Sequence, residues 1–325
     1  MRRLGRIFGG GQHTRRVSGT EPVSHTDETA APDDASREDS TDERGVAASA
    51  AAAQGDHLVS PALWTDSHCH LQTSDDLAAV IERGRESGVR RLVLVGTDEA
   101  SSRKAASAAR ERSGSGSPAV ELWSTVGLHP HDASSGVGGV GRLLRELYSG
   151  GLLSSQVVAV GECGLDYHYD YSPRAVQRDA FAAQIAFAHQ YGLALVVHTR
   201  EAWDDTLAII DREGAPSRLV LHCFTGGPQE AAACLERGAY LSFSGIVTFP
   251  SATDVREAAT MCPVERLLVE TDAPFLTPVP YRGKPNEPSY IPVIGAQLAA
   301  LKDLEVAAVA QATTSNAAVV FGLHG

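Results

Sequence analysis

The chain has 325 residues, 43% hydrophobic and 21% charged, and carries a formal net charge of −12 at pH 7. That is enough apolar material for one large α/β domain, and without an uncharged apolar run of 18 or more residues it excludes a helical membrane protein. The acidic balance excludes a protein that grips nucleic acid through a broad basic surface, so a polyanionic substrate would have to be held locally, by metal ions or a few placed cations.

In chain order, residues 1–60 come first: Ser, Thr, Asp, Glu, Gly and Ala with almost no large apolar residue, ending in the Ala-rich stretch Ala47 to Ala53. Such a segment buries too little surface to offset its ordering entropy, so it is expected to be a disordered low-complexity tail preceding a single domain over 61–325. Arg2, Arg3 and Arg6 lead into Gly9, Gly10 and Gly11 and not into an apolar segment, so no secretory signal is legible and a cytoplasmic location is expected. Five cysteines without a C-x-x-C pair argue for reduced thiols.

From Leu63 onward, short apolar runs alternate with stretches of helical spacing. Strands are predicted at about 63–68, 91–96, 122–128, 157–162, 193–198, 218–223, 239–245 and 266–272. Helices are predicted at 75–87, 98–112, 174–191, 201–213, 228–237 and 252–261. Apolar strands separated by helices imply a parallel sheet covered on both faces, and eight β/α units in this length predict a (β/α)8 TIM barrel. A doubly wound sheet is the alternative, but no G-x-G-x-x-G follows an early strand.

The polar residues at the ends of these runs carry the chemistry. Strand one ends Asp66-Ser67-His68-Cys69-His70, where alternation sends His68 and His70 to one face. Strand four ends Gly161-Glu162-Cys163-Gly164-Leu165-Asp166, strand five His198-Thr199-Arg200, strand six holds His222, and strand eight ends Glu270-Thr271-Asp272. Alone, each could be an ordinary capping residue. Together they place four histidines and two carboxylates at the one mouth where strand C-termini converge, a set suited to Zn²⁺, Mn²⁺ or Mg²⁺ and not to a thiolate site. Cys69 and Cys223 are expected to face away as packing residues, and Cys163 to lie in a turn.

The strings DSHCHL, VGLHPH, GECGLDYHY, VVHTREA, LHCFTG, LLVETDAPFLTP and RGKPNEPSYI, spread over residues 63–322, resemble the TatD family of metal-dependent hydrolases, TIM barrels related to the amidohydrolases. The resemblance implies two divalent ions, one held by His68, His70 and Asp272, the other by His198 and His222, with Glu162 bridging. It also implies a deoxyribonuclease of the 3′–5′ exonuclease type, cutting phosphodiester bonds with a two-metal-activated water whose proton passes to Asp272. Glu270 would orient a ligand. DNA or a small phosphodiester would be the substrate, contacted by His129, His131, Arg200 and Arg282, with Lys284 beside it. No membrane and no obligate protein partner are implied. Gln72 and Ala194 depart from the family pattern at positions that are not ligands.

Two other readings are open on the residues: a metal-dependent amidohydrolase or esterase acting on a small amide, ester or lactone, and a barrel with a vestigial metal site whose tail binds a partner. Aromatic residues make up only 6% of the chain, and no base-stacking platform is legible among them.

Overall fold

The computed structural model describes residues 62–113, 119–148 and 156–323, so the predicted 1–60 tail lies outside the described residues. Eight strands run β1 (Trp64–Cys69), β2 (Val89–Leu94), β3 (Glu121–Val126), β4 (Val157–Asp166), β5 (Ala194–Arg200), β6 (Leu219–Leu221), β7 (Tyr240–Phe243) and β8 (Leu267–Val269). Each pairs in parallel with the next in sequence, giving the order β1 to β8. That sequential order excludes the doubly wound alternative, in which the strand order reverses at a switch point. The ring is nearly closed: Cys69 bridges Ala273, the Asp272 amide donates to the His68 carbonyl at 3.0 Å, and the His70 amide donates to the Ala273 carbonyl at 2.8 Å.

Helices fill the crossovers. They are α1 (Leu77–Glu86), α2 (Glu99–Ser113), α3 (Gly138–Tyr148), α4 (Arg174–Tyr191), α5 (Trp203–Glu213), α6 (Pro228–Glu236), α7 (Thr253–Met261), α8 (Ile291–Lys302) and α9 (Val306–Phe321). None of them is long and apolar enough to cross a membrane. The two faces of the sheet bury different sets of side chains, as the period of two requires. Leu92, Leu122, Leu195, Leu219 and Leu241 face the helices and join Phe181, Ile185 and Leu298 in the larger core. Val93, Val158, Val196, Val220 and Leu268 fill the interior together with Val320 and Phe321 from the end of α9. Each fully buried Leu or Phe contributes on the order of 1.5–3 kcal/mol relative to exposure.

Two local expectations need correction. Cys163 is not in a turn: β4 is ten residues long, and the thiol is buried against the Val196 carbonyl. Cys223 does not lie on a strand, because β6 stops at Leu221. It has φ +42° and is half-buried, its Sγ 3.3 Å from Ser244 Oγ, whereas Cys69 is fully buried as expected.

Candidate metal centre

Six strands deliver imidazole or carboxylate groups to the same end of the barrel. His68 lies in β1, Glu162 in β4 and His198 in β5, whereas His70, His129, His222 and Asp272 follow the ends of β1, β3, β6 and β8. Close approach of the backbones makes this possible. Gly164 in β4 has φ +138°, and a Cβ there would run into the His198 carbonyl oxygen, so only glycine lets β5 present His198 beside Glu162.

Glu162 stands between the other donors. Its Oε2 is 3.3 Å from His68 Nε2 and 3.5 Å from His70 Nε2. Its Oε1 is 2.8 Å from His222 Nε2, 3.0 Å from His198 Nδ1 and 3.4 Å from His129 Nε2. Asp272 Oδ1 completes the first group, 3.3 Å from His70 Nε2 and 3.7 Å from His68 Nε2. The donor atoms form three overlapping sets, each within 4.8 Å: His68, His70 and Asp272; His68, Glu162 and His222; and His129, Glu162 and His198.

Which ring nitrogen faces the cluster is set from behind, because a group that only accepts must receive a proton. His70 Nδ1 is 3.2 Å from the Val95 carbonyl, His222 Nδ1 is 3.3 Å from Glu270 Oε1, and His198 Nε2 is 3.3 Å from Asp166 Oδ2. Each therefore turns a lone pair toward the cluster. His129 is wired the opposite way: its Nδ1 accepts from the His131 amide at 3.2 Å, so Nε2 carries the hydrogen and donates toward Glu162. This separates His129 from the lone-pair donors.

Burial and charge divide the imidazoles. Burial holds His68 below the usual histidine range and pushes His129 down to about 4, against the pull of Glu162. Burial also weighs on His70, His198 and His222, but Asp272 raises the first, Asp166 with Glu162 the second, and Glu162 with Glu270 the third. Glu162 and Asp272 lie below the usual carboxylate range although burial opposes it, because histidines surround them.

The residues fit divalent ions. Among the described residues, the donors that converge are imidazole nitrogens and carboxylate oxygens. The Nε2 atoms of His68 and His70 face each other at 3.2 Å, and Glu270 Oε2 is buried with no hydrogen-bond partner. Buried carboxylate charge beside facing ring nitrogens is what a borderline or hard cation neutralises.

The supporting residues include two that sequence reasoning quoted without a role. Asp66, buried in β1, accepts from the Thr271 amide at 3.0 Å and the Thr271 hydroxyl at 2.6 Å, and burial lifts it to about 7 against those bonds. Asp166, at the end of β4, holds His198 and also lies 3.0 Å from His131 Nε2. Its other oxygen accepts from the amides of His168 and Tyr169 at 3.0 and 2.9 Å. Glu270 additionally accepts from the Cys223 amide at 2.7 Å, as an orienting residue would. Gln72 donates at 2.7 Å to the Val95 carbonyl that His70 also faces.

Of the expected substrate contacts, His129 and His131 sit at the cluster. Arg200 places its guanidinium over the Tyr169 ring, 4.7 Å from the centroid. Arg282 lies elsewhere in its surroundings: it packs over Phe249 at 4.3 Å and donates to the Thr277 carbonyl at 3.2 Å, and the Lys284 ammonium is 5.7 Å from the Tyr281 ring centre. Sequence reasoning missed an aromatic group beside the cluster, formed by Tyr169 and Tyr171, whose rings stack at 5.2 Å. The signal was the run Tyr167-His168-Tyr169-Asp170-Tyr171, which overall aromatic content concealed.

A family model described as TatD related DNase matches residues 65–322. A Bacillus subtilis protein, the uncharacterized metal-dependent hydrolase YabD, is 39% identical over 263 residues, covering 80% of this chain and 99% of that protein. The 3′-5′ ssDNA/RNA exonuclease TatD of Erwinia amylovora is 38% identical over 259 residues, covering 78% and 96%. Among solved structures, YjjV, a TatD homologue from Escherichia coli, superposes with a TM-score of 0.71 at 26% identity, covering 80% of this chain and 98% of that one.

Proposed function

The chain belongs to the TatD family of metal-dependent hydrolases, and from that premise we propose that it is a 3′–5′ exonuclease that trims single-stranded DNA with two divalent ions. One observation carries the reading: the two oxygens of Glu162 face two different donor groups, as a carboxylate shared between two ions must. His68, His70 and Asp272 would hold one ion, His198 and His222 the other. The name of the Erwinia amylovora relative supports a single-stranded nucleic acid as substrate.

Two such ions, held by these residues, would supply positive charge against a phosphodiester and lower the pKa of a bound water. The chain's own residues do the rest. Asp272, its side chain 13% exposed and its carboxyl held ionised by His70, accepts the proton of the attacking water. His129, whose Nε2 hydrogen points toward Glu162, borders the phosphate's place as a neutral imidazole that offers no lone pair to an ion. Asp166 and Glu270 keep the His198 and His222 rings from turning. Arg200 adds a guanidinium at the rim, suited to two-point phosphate contact.

The test is an end-labelled single-stranded DNA oligonucleotide incubated with metal-stripped protein, with Mg²⁺, Mn²⁺ or Zn²⁺ added separately and Asp272→Ala as the blank. Shortening from the 3′ end, only with metal and only with the wild type, is the expected result. Binding of two metal equivalents without any cleavage would remove DNA as the substrate.

A further inference from the structure

Tyr169 and Tyr171 follow β4 and stand directly beside the donor cluster. Their rings lie 15° from parallel. His131 meets both edge-on, at 5.5 Å and 4.8 Å, and is itself 4.3 Å from His129. The shelf is fixed to the site by a carboxylate, since Asp166 accepts from the Tyr169 amide with one oxygen and faces His198 and His131 with the other. Its outer ring is open: Tyr171 is 67% exposed, although Tyr169 stacks against it and His131 meets its edge.

The charge beside the shelf matches the same ligand. The Arg200 guanidinium lies over Tyr169, and among the described residues no carboxylate pairs with it. An open aromatic ring backed by a second ring that carries a guanidinium, all adjoining a site for a phosphodiester, is complementary to a nucleotide: Tyr171 takes the base, Tyr169 supports it from behind, and the guanidinium takes the phosphate. A base can reach such a face only when it is unpaired. The opposite half of the cluster offers a second ring, Phe275, 45% exposed and 6.3 Å from the His70 ring.

We propose that Tyr169 and Tyr171 form a stacking shelf for an unpaired nucleobase flanking the scissile phosphate, so that the enzyme selects single-stranded ends by base stacking and not by sequence. The inference rests on the nucleic-acid reading given above, and it extends that reading by naming what holds the base.

The experiment uses the full-length holoenzyme, loaded with Mn²⁺, and two single-stranded DNA oligonucleotides. One ends in 2-aminopurine, whose fluorescence falls on stacking, and the other is abasic at the same position. The wild type is expected to quench the 2-aminopurine and to cut the base-bearing strand with a KM about tenfold lower than the abasic one. Tyr171→Ala should lose the quench and erase the KM difference, with Tyr171→Phe restoring both. Because the side chain is mostly exposed, folding is not at stake, and Tyr169→Ala gives an independent second variant. Quenching that depends on the tyrosines without any cleavage would support the shelf while overturning the exonuclease reading. Equal quenching and equal base preference in wild type and both Ala variants would overturn the shelf even if cleavage proceeds, as would a wild type that neither quenches nor discriminates.

Discussion

Asp66 and Thr271 join the first strand of the barrel to the segment after the last, the Asp66 carboxylate accepting from both the amide and the hydroxyl of Thr271. Thr271 is the neighbour of Asp272, and its hydroxyl also accepts from the Ala273 amide at 3.1 Å, so one hydrogen-bond chain fixes the backbone on both sides of a proposed ligand. Asp66→Asn sets an NH₂ donor against that hydroxyl. We expect affinity for the ion at His68, His70 and Asp272 to fall about 10–100-fold, the usual cost of losing an orienting partner. Calorimetric metal titration measures this, and unchanged affinity in a folded variant would remove the positioning role.

Glu162→Gln keeps the shape of the central side chain and removes its charge. The expected outcome is at most one metal equivalent per chain where the wild type holds two, with turnover lower by on the order of a thousandfold. Elemental analysis of the dialysed protein, alongside the oligonucleotide assay, reads both. Two equivalents bound to the variant would refute a bridging role.

Gly164→Ala meets both an unfavourable φ and the His198 carbonyl oxygen, whereas Gly192→Ala, at φ +61° after α4, meets nothing within 4 Å. The first should cost more than about 3 kcal/mol and the second about 1 kcal/mol. Urea denaturation of the two variants tests the contrast, and equal losses would mean that the β4–β5 approach is not tight.

Removing residues 1–60, which lie outside the described residues, is expected to leave kcat and KM on the oligonucleotide unchanged. Steady-state kinetics of the shortened chain beside the full one decides it: a fall in either constant would make that segment part of the catalytic unit.

The barrel and its donor set were legible because both follow from simple periodicities. Alternation brought His68 and His70 to one face, and apolar runs ending in His or an acid marked strand ends converging on one mouth. What stayed hidden depends on groups meeting across the barrel. Asp66 and Asp166 lie inside quoted motifs, yet their partners, Thr271 and His131, sit in the segments that follow other strands, β8 and β3. Which nitrogen of His129 carries the hydrogen turns on a single backbone amide, which no spacing reveals. The extent of β4 was misread because Gly161 and Gly164 look like turn formers, although here they serve close packing between strands. Helices α3, α8 and α9 were not singled out, α3 because glycines interrupt its apolar spacing.

The seam between β1 and β8 has consequences for synthesis. Elsewhere in the ring neighbouring strands share ladders, but here a single bridge, the two backbone hydrogen bonds at His68 and His70 and a few side-chain bonds join them, and the proposed ligands His68, His70 and Asp272 straddle the joint. A chain emerging from the ribosome presents both histidines well before their carboxylate partner, about 200 residues further along. Until that later segment arrives and the wall is drawn shut, the polypeptide holds only half of the proposed chelate, so an ion at this joint can be held only once the ring has closed.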